Sequence, residues 1–259
     1  MTKRNKILLY IALGLCIAVA VAFGWPGLKL VREEPLNGLL CEVLSRTGLA
    51  AFLVLLLLGF GQNRVLRATK FGLGRAALWC LPCLLVAIVN FPFSALIGGE
   101  ANVDHPALLP LFILSCALIG ITEELLFRGL LHDSLKHAFM KYRCGYILAV
   151  LLSSAIFGLW HLVNLFFGAG VGATLLQVGY TFLLGTMFAV TLDKTRNIWF
   201  CVFLHTLFDI GGTLVLRLGS GNPQDLVFWI LTLVVGVLCG VHILITALRI
   251  NNKLTPWHK

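Results

Sequence analysis

Eight long apolar runs decide what this chain can fold into. They cover approximately residues 7–25, 39–60, 76–98, 107–131, 146–167, 171–192, 198–218 and 226–248. Most exceed the ~20 residues that carry a helix across ~30 Å of hydrocarbon. The runs are continuous rather than alternating, which excludes a β-barrel. Only 12% of the 259 residues are charged, about half the share of a soluble domain. The sequence therefore predicts an all-α, polytopic membrane helical bundle of about eight transmembrane helices, forming one membrane-embedded domain over residues 1–259.

A formal charge of +9 would suit a nucleic-acid binder, but its distribution points elsewhere. Fifteen of the 20 basic residues fall in alternate connections or at the ends: Lys3, Arg4 and Lys6, then 64–75, 136–143, Lys194 with Arg196, and Arg249, Lys253 and Lys259. The intervening connections hold only Lys29, Arg32 and Arg217, while Arg46 and Arg128 lie within spans. That is the positive-inside pattern, with both termini cytoplasmic. The partner implied by the charge is the lipid bilayer and not nucleic acid. The first run, with Ala20-Val21-Ala22 near its end, also resembles a signal peptide, although the charge alternation favours a retained anchor. The eight Cys lie mostly in or beside apolar runs, where Cys is a small hydrophobe. Trp79-Cys80-Leu81-Pro82-Cys83 has thioredoxin-type spacing but lacks the βαβ context that the motif needs.

Ionisable groups are costly at membrane depth and are usually functional there. Glu123-Glu124-Leu125-Leu126-Phe127-Arg128 places three of them in the fourth run. Glu124 and Arg128 are four residues apart and share a helix face, so they form an ion pair. Glu123 points about 100° away and is left without a neutralising neighbour on its own helix. It is thus a candidate general base for a water molecule. In the fifth run Ser154, Phe157, His161 and Asn164 form one polar stripe facing the bundle. In the seventh, His205 and Asp209 share a face, where the Asp can fix the imidazole tautomer or both can ligate a metal. His105, His132, His137, His242 and His258 fall in connections, at the tail or alone in the last run, and receive no role.

The spacings Glu-Glu-x-x-x-Arg, Phe-x-x-x-His and His-x-x-x-Asp thus occur in order on three separate spans. The conjunction resembles the CPBP family of intramembrane proteases, also called the Abi or CAAX-protease family, over roughly 107–220, its catalytic half. The resemblance implies an endopeptidase in which Glu123 activates water with the help of His161. His205 and Asp209 then stabilise the tetrahedral oxyanion. Glu124, Arg128, Phe157 and Asn164 support them. It implies no cofactor and a membrane-associated peptide or protein as substrate, in a prokaryotic cytoplasmic membrane. The family often has Asn at the position of Asp209. An ionised Asp cannot donate to an oxyanion, so here it is protonated or orients His205. That departure keeps open a metalloprotease reading, with zinc held by Glu123, His161, His205 and Asp209.

A non-proteolytic membrane partner, such as an immunity protein, and a transporter or proton relay are the rival classes. The first is disfavoured because every catalytic position is filled, the second because inverted repeats with broken helices are not apparent. Counting residues along the spans places the site in the cytoplasmic half of the bilayer. It also makes the amphipathic segment 132–145 a border of substrate access.

Overall fold

The computed structural model describes residues 29–59, 61, 63–67 and 73–254, with a few positions between 6 and 18. Among the described residues, seven helices are long and apolar enough to cross a membrane; the fold is the polytopic helical bundle that the apolar runs predict. The expected first span, 7–25, lies largely outside the described residues. Helix α1 is Leu36–Gly59. Helix α2 is Leu73–Val89, followed by a short helix Phe93–Gly98. Then come α3 (Pro106–Phe139), α4 (Gly145–Phe167), α5 (Val171–Thr195), α6 (Ile198–Leu218) and α7 (Leu226–Leu254). Two short strands, β1 (Ala101–Val103) and β2 (Gly219–Gly221), pair antiparallel between the α2–α3 and α6–α7 connections.

Local chemistry sets several helix ends. Asn197 Oδ1 accepts the Trp199 N–H at 3.0 Å and opens α6. Asp225 Oδ1 accepts the Phe228 N–H at 2.7 Å just before α7; that bond holds the Asp225 carboxyl below its ordinary range. Gly168, at φ 86°, ends α4 in a left-handed conformation that a residue without Cβ adopts readily. Cys80 and Cys83 are free and buried within α2, a helical setting unlike that of a thioredoxin motif.

Helix α3 continues beyond the apolar run that ends at Leu131, as far as Phe139, so segment 132–145 begins as an extension of this span. Over Leu125–His132 the helix widens into a π-helix, entered where the Leu125 N–H is shared between the Ile121 and Thr122 carbonyls. All eight residues of the wide turn are buried, the condition under which irregular helix is tolerated at membrane depth. His132, read from sequence as a loop residue without a role, is therefore fully buried. Its Nε2 lies 2.9 Å from Asp193 Oδ2 and its Nδ1 3.3 Å from Ser153 Oγ, and Lys136 pairs with the same Asp193. The apolar run ends at Leu131, eight residues before the helix does, so His132 read as a connection residue.

Helix α3 packs on α1 and α6, α4 runs along α5, and α2 lies against α5, α6 and α7. The α3–α6 approach depends on Gly120. A Cβ there would lie 2.9 Å from Thr206 Oγ1 and 3.1 Å from the Val202 carbonyl oxygen. Small residues at such crossings are what let helices meet closely in a membrane, where lipid is as apolar as any side chain. Gly120→Leu is therefore expected to destabilise the fold by about 1–3 kcal/mol through overpacking, read as a lower thermal midpoint in detergent. An unchanged midpoint would mean that the two helices tolerate separation at this point.

The two ends of the bundle are cross-tied. At one, Arg64 Nη2 lies 2.7 Å from Asp133 Oδ2, Trp199 Nε1 donates to the Leu66 carbonyl at 3.0 Å, and Asn251 Nδ2 to the Arg143 carbonyl at 3.1 Å. At the other, β1 meets β2 and Arg217 Nη2 lies 2.8 Å from Glu42 Oε2.

Candidate active site

The close α3–α6 crossing that Gly120 permits brings the two carboxylates of α3 against the His-Asp pair of α6. Glu124 is fully buried. Its Oε1 lies 2.9 Å from Arg128 Nη1 as an ion pair and accepts from His205 Nδ1 at 2.7 Å. A carboxylate only accepts, so Nδ1 of His205 carries a proton and Nε2 faces away from Glu124. On that side lie Glu123 Oε2 at 3.7 Å and Asp209 Oδ2 at 3.6 Å.

Aromatic rings enclose this cluster. Phe188 of α5 stacks on His205 with centroids 5.5 Å apart, and Phe157 of α4 meets it edge-on at 6.0 Å. The Arg128 guanidinium lies 4.1 Å from the Phe157 ring centroid and 5.3 Å from that of Phe188. The rings thus hold a cation whose counter-charge is Glu124. One turn beyond Phe157, His161 Nδ1 donates to the Phe157 carbonyl at 3.0 Å. That bond fixes the proton on Nδ1 and leaves Nε2 of the neutral ring an acceptor. Asn164 Nδ2 donates to Gln177 Oε1 at 2.9 Å and joins α4 to α5.

Glu123, His161, His205 and Asp209 all line one cavity of about 690 Å³. Glu123 is not without a neutralising partner, as same-helix spacing suggested. Arg46 of α1 places Nη1 3.5 Å from Glu123 Oε1 and 3.3 Å from Thr122 Oγ1. Arg46 is the site residue missed from sequence. Its signal was present, a basic residue inside an apolar run, but spacing alone does not report which residue it meets across the bundle. A second correction concerns Asp209. Read as the residue that could fix the His205 tautomer, it faces Nε2, and the Nδ1 partner is Glu124.

Access is the third correction. None of residues 132–145 lines the cavity. The overhanging end of α3 lies beyond a layer of buried side chains, Leu125 to Leu131, that separates it from Glu123. Among the described residues no group of three or more His, Cys, Asp or Glu side chains is set to hold a metal ion.

Residues 105–211 match the family model described as type II CAAX prenyl endopeptidase Rce1-like. Over that segment, less than half of the chain, it is similar to that family. The segment includes Glu123, Glu124, Arg128, Phe157, His161, Asn164, Phe188, His205 and Asp209, and excludes Arg46 and the rest of α1. That description is of an endopeptidase family, and the match falls on helices α3 to α6. No curated protein and no solved structure matches the chain.

Proposed function

We propose that the protein is an intramembrane endopeptidase that hydrolyses a peptide bond in a membrane-associated protein or peptide, with Glu123 as general base. The observation that carries this reading is the pairing of His205 Nδ1 with Glu124 at 2.7 Å, which aims Nε2 into the cavity beside Glu123. Glu123 takes a proton from water held between it and the acceptor Nε2 of His161. The hydroxide oxygen bonds to the substrate carbonyl carbon, and the carbonyl electron pair moves onto oxygen. His205 Nε2–H receives that oxyanion. Collapse breaks the carbon–nitrogen bond as the proton on Glu123 passes to the leaving nitrogen.

Charge counting favours a protonated His205. With Glu123, Glu124 and Asp209 ionised, three carboxylates face two guanidinium groups, those of Arg46 and Arg128, and an imidazolium completes the neutral set. Glu123 and Asp209 each lie farther from Nε2 than a hydrogen bond reaches, so the Nε2–H remains available to substrate. Asp209 then supports the cation rather than donating to the oxyanion itself.

The test is proteomics of membranes carrying the wild type or Glu123→Gln. New protein N-termini are expected with the wild type and absent with the variant; identical sets would defeat the reading. EDTA and phenanthroline are expected to leave cleavage unchanged. Inhibition reversed by zinc would replace the glutamate base with a zinc site on Glu123, His161, His205 and Asp209.

A further inference from the structure

The cavity is closed toward one end of the bundle and extends toward the other. Beneath Glu123 its floor is Leu126, Phe127, Phe157 and Phe188, each at most 2% exposed. From there its wall climbs through Asp209 and Thr213 to Arg217 at the last turn of α6. On α4 and α5 it passes Asn164 and Gln177, and on α1 it runs back to Gly38, then to the exposed Glu34 and Lys29. All of these lie at the end of the bundle marked by the Arg217–Glu42 ion pair and the β1–β2 pairing. The opposite end is the one tied by Arg64 to Asp133 and by Asn251 to the Arg143 carbonyl.

The basic residues assign these ends to compartments. Arg64, Arg67, Lys136, Lys141, Arg143, Lys194, Arg196 and Lys253 belong to the closed end, whereas the open end has Lys29, Arg32 and Arg217. By the positive-inside rule the closed end is cytoplasmic. The π-helical turn reinforces the closure. Leu125 to Leu131 are all at most 3% exposed apart from Gly129, itself buried, and Arg128 is held by Glu124 and the two Phe rings. A second cavity on the closed side reaches Arg128 and Gly129 but shares no lining residue with the first.

We infer that Glu123 is reached from the non-cytoplasmic side of the membrane, and that the substrate is a peptide segment presented there. It would lie against the polar wall formed by Glu42, Arg217, Asn164 and Gln177. This rests on the endopeptidase reading for the word substrate but not for the side of access. The site sits near the cytoplasmic ends of α5 and α6, so the segment must enter well below the surface. That suits an unfolded stretch adjoining a membrane anchor rather than a folded domain.

The test is labelling by a membrane-impermeant maleimide in intact cells and in sealed inverted vesicles. Thr213→Cys and Gln177→Cys each put a thiol in the cavity wall, and two positions guard against one variant failing to fold. Native Cys144, exposed in the α3–α4 connection, is the internal reference for the cytoplasmic face. Both introduced thiols are expected to gain label over the wild type in intact cells and to lose it in inverted vesicles, with Cys144 showing the reverse. Labelling of the cavity thiols only from inverted vesicles, or labelling of Cys144 in intact cells, would overturn the inference. So would absence of label from both sides in variants that purify as folded protein. The same labelling in a Glu123→Gln background separates the two readings. If no cleavage products exist, proteolysis fails while the side of access still stands or falls on the label.

Discussion

Replacing Glu123 by Gln is expected to remove cleavage while leaving the thermal midpoint nearly unchanged. The substitution preserves shape and retains an oxygen able to accept from Arg46, but it cannot take a proton from water. A positioned general base contributes about 10²–10⁴ in rate, so kcat should fall by that factor with little change in KM. Stability is spared because the partner is solvated. The Arg46 side chain is 26% exposed where it meets Glu123 at 3.5 Å, and a solvated, long ion pair contributes at most about 1 kcal/mol. Nothing else that holds the bundle touches this carboxylate as a short bond, since His205 Nε2 stands off at 3.7 Å. Activity retained within tenfold of the wild type would remove Glu123 from the role of base.

Same-helix relations were legible in the sequence and cross-helix relations were not. The Glu124–Arg128 pair follows directly from spacing and lies at 2.9 Å. The shared face of His205 and Asp209 is likewise a matter of helical period, and the two lie 3.6 Å apart. Even relative depth could be read by counting. Glu123 is about 28 Å of helical rise from Tyr142, whereas His205 is only about 12 Å from Asn197, so α3 had to overhang the end of α6, and it does, reaching Phe139. What spacing could not give was Arg46 beside Glu123, or Glu124 reaching His205 as well as Arg128. These depend on which faces meet when α1 and α6 close on α3, and Gly120 decides that contact. The buried His132–Asp193–Lys136 cluster was hidden for another reason. Polar residues at 132–137 read as a connection, and only the wide π turn carries them back into the protein. The direction of the cavity was missed because amphipathic character at 132–145 suggested an access surface, whereas the packed layer from Leu125 to Leu131 closes that end.

The other carboxylate should behave in the opposite manner. Glu124→Gln is expected to lower both stability and activity, and stability by the larger margin seen anywhere in the site. Glu124 is fully buried, and the Arg128 side chain is 2% exposed with its charge otherwise facing only aromatic rings. Removing one partner of a buried ion pair leaves an uncompensated charge, which costs about 3–5 kcal/mol. The thermal midpoint and the folded yield report that loss. Activity falls for a separate reason, because a Gln oxygen still accepts from His205 Nδ1 but lacks the charge that keeps the imidazole protonated, so Nε2 no longer carries a proton for the oxyanion. Loss of such a donor lowers kcat by about 10²–10³. The two effects come apart in the double variant Glu124→Gln with Arg128→Met. Neutralising both members removes the stranded charge, so part of the stability should return, with a coupling of about 0.5–3 kcal/mol between neighbouring sites. Cleavage should not return, since His205 still lacks its carboxylate. Recovery of activity along with stability would make Glu124 a partner of Arg128 alone and sever it from His205.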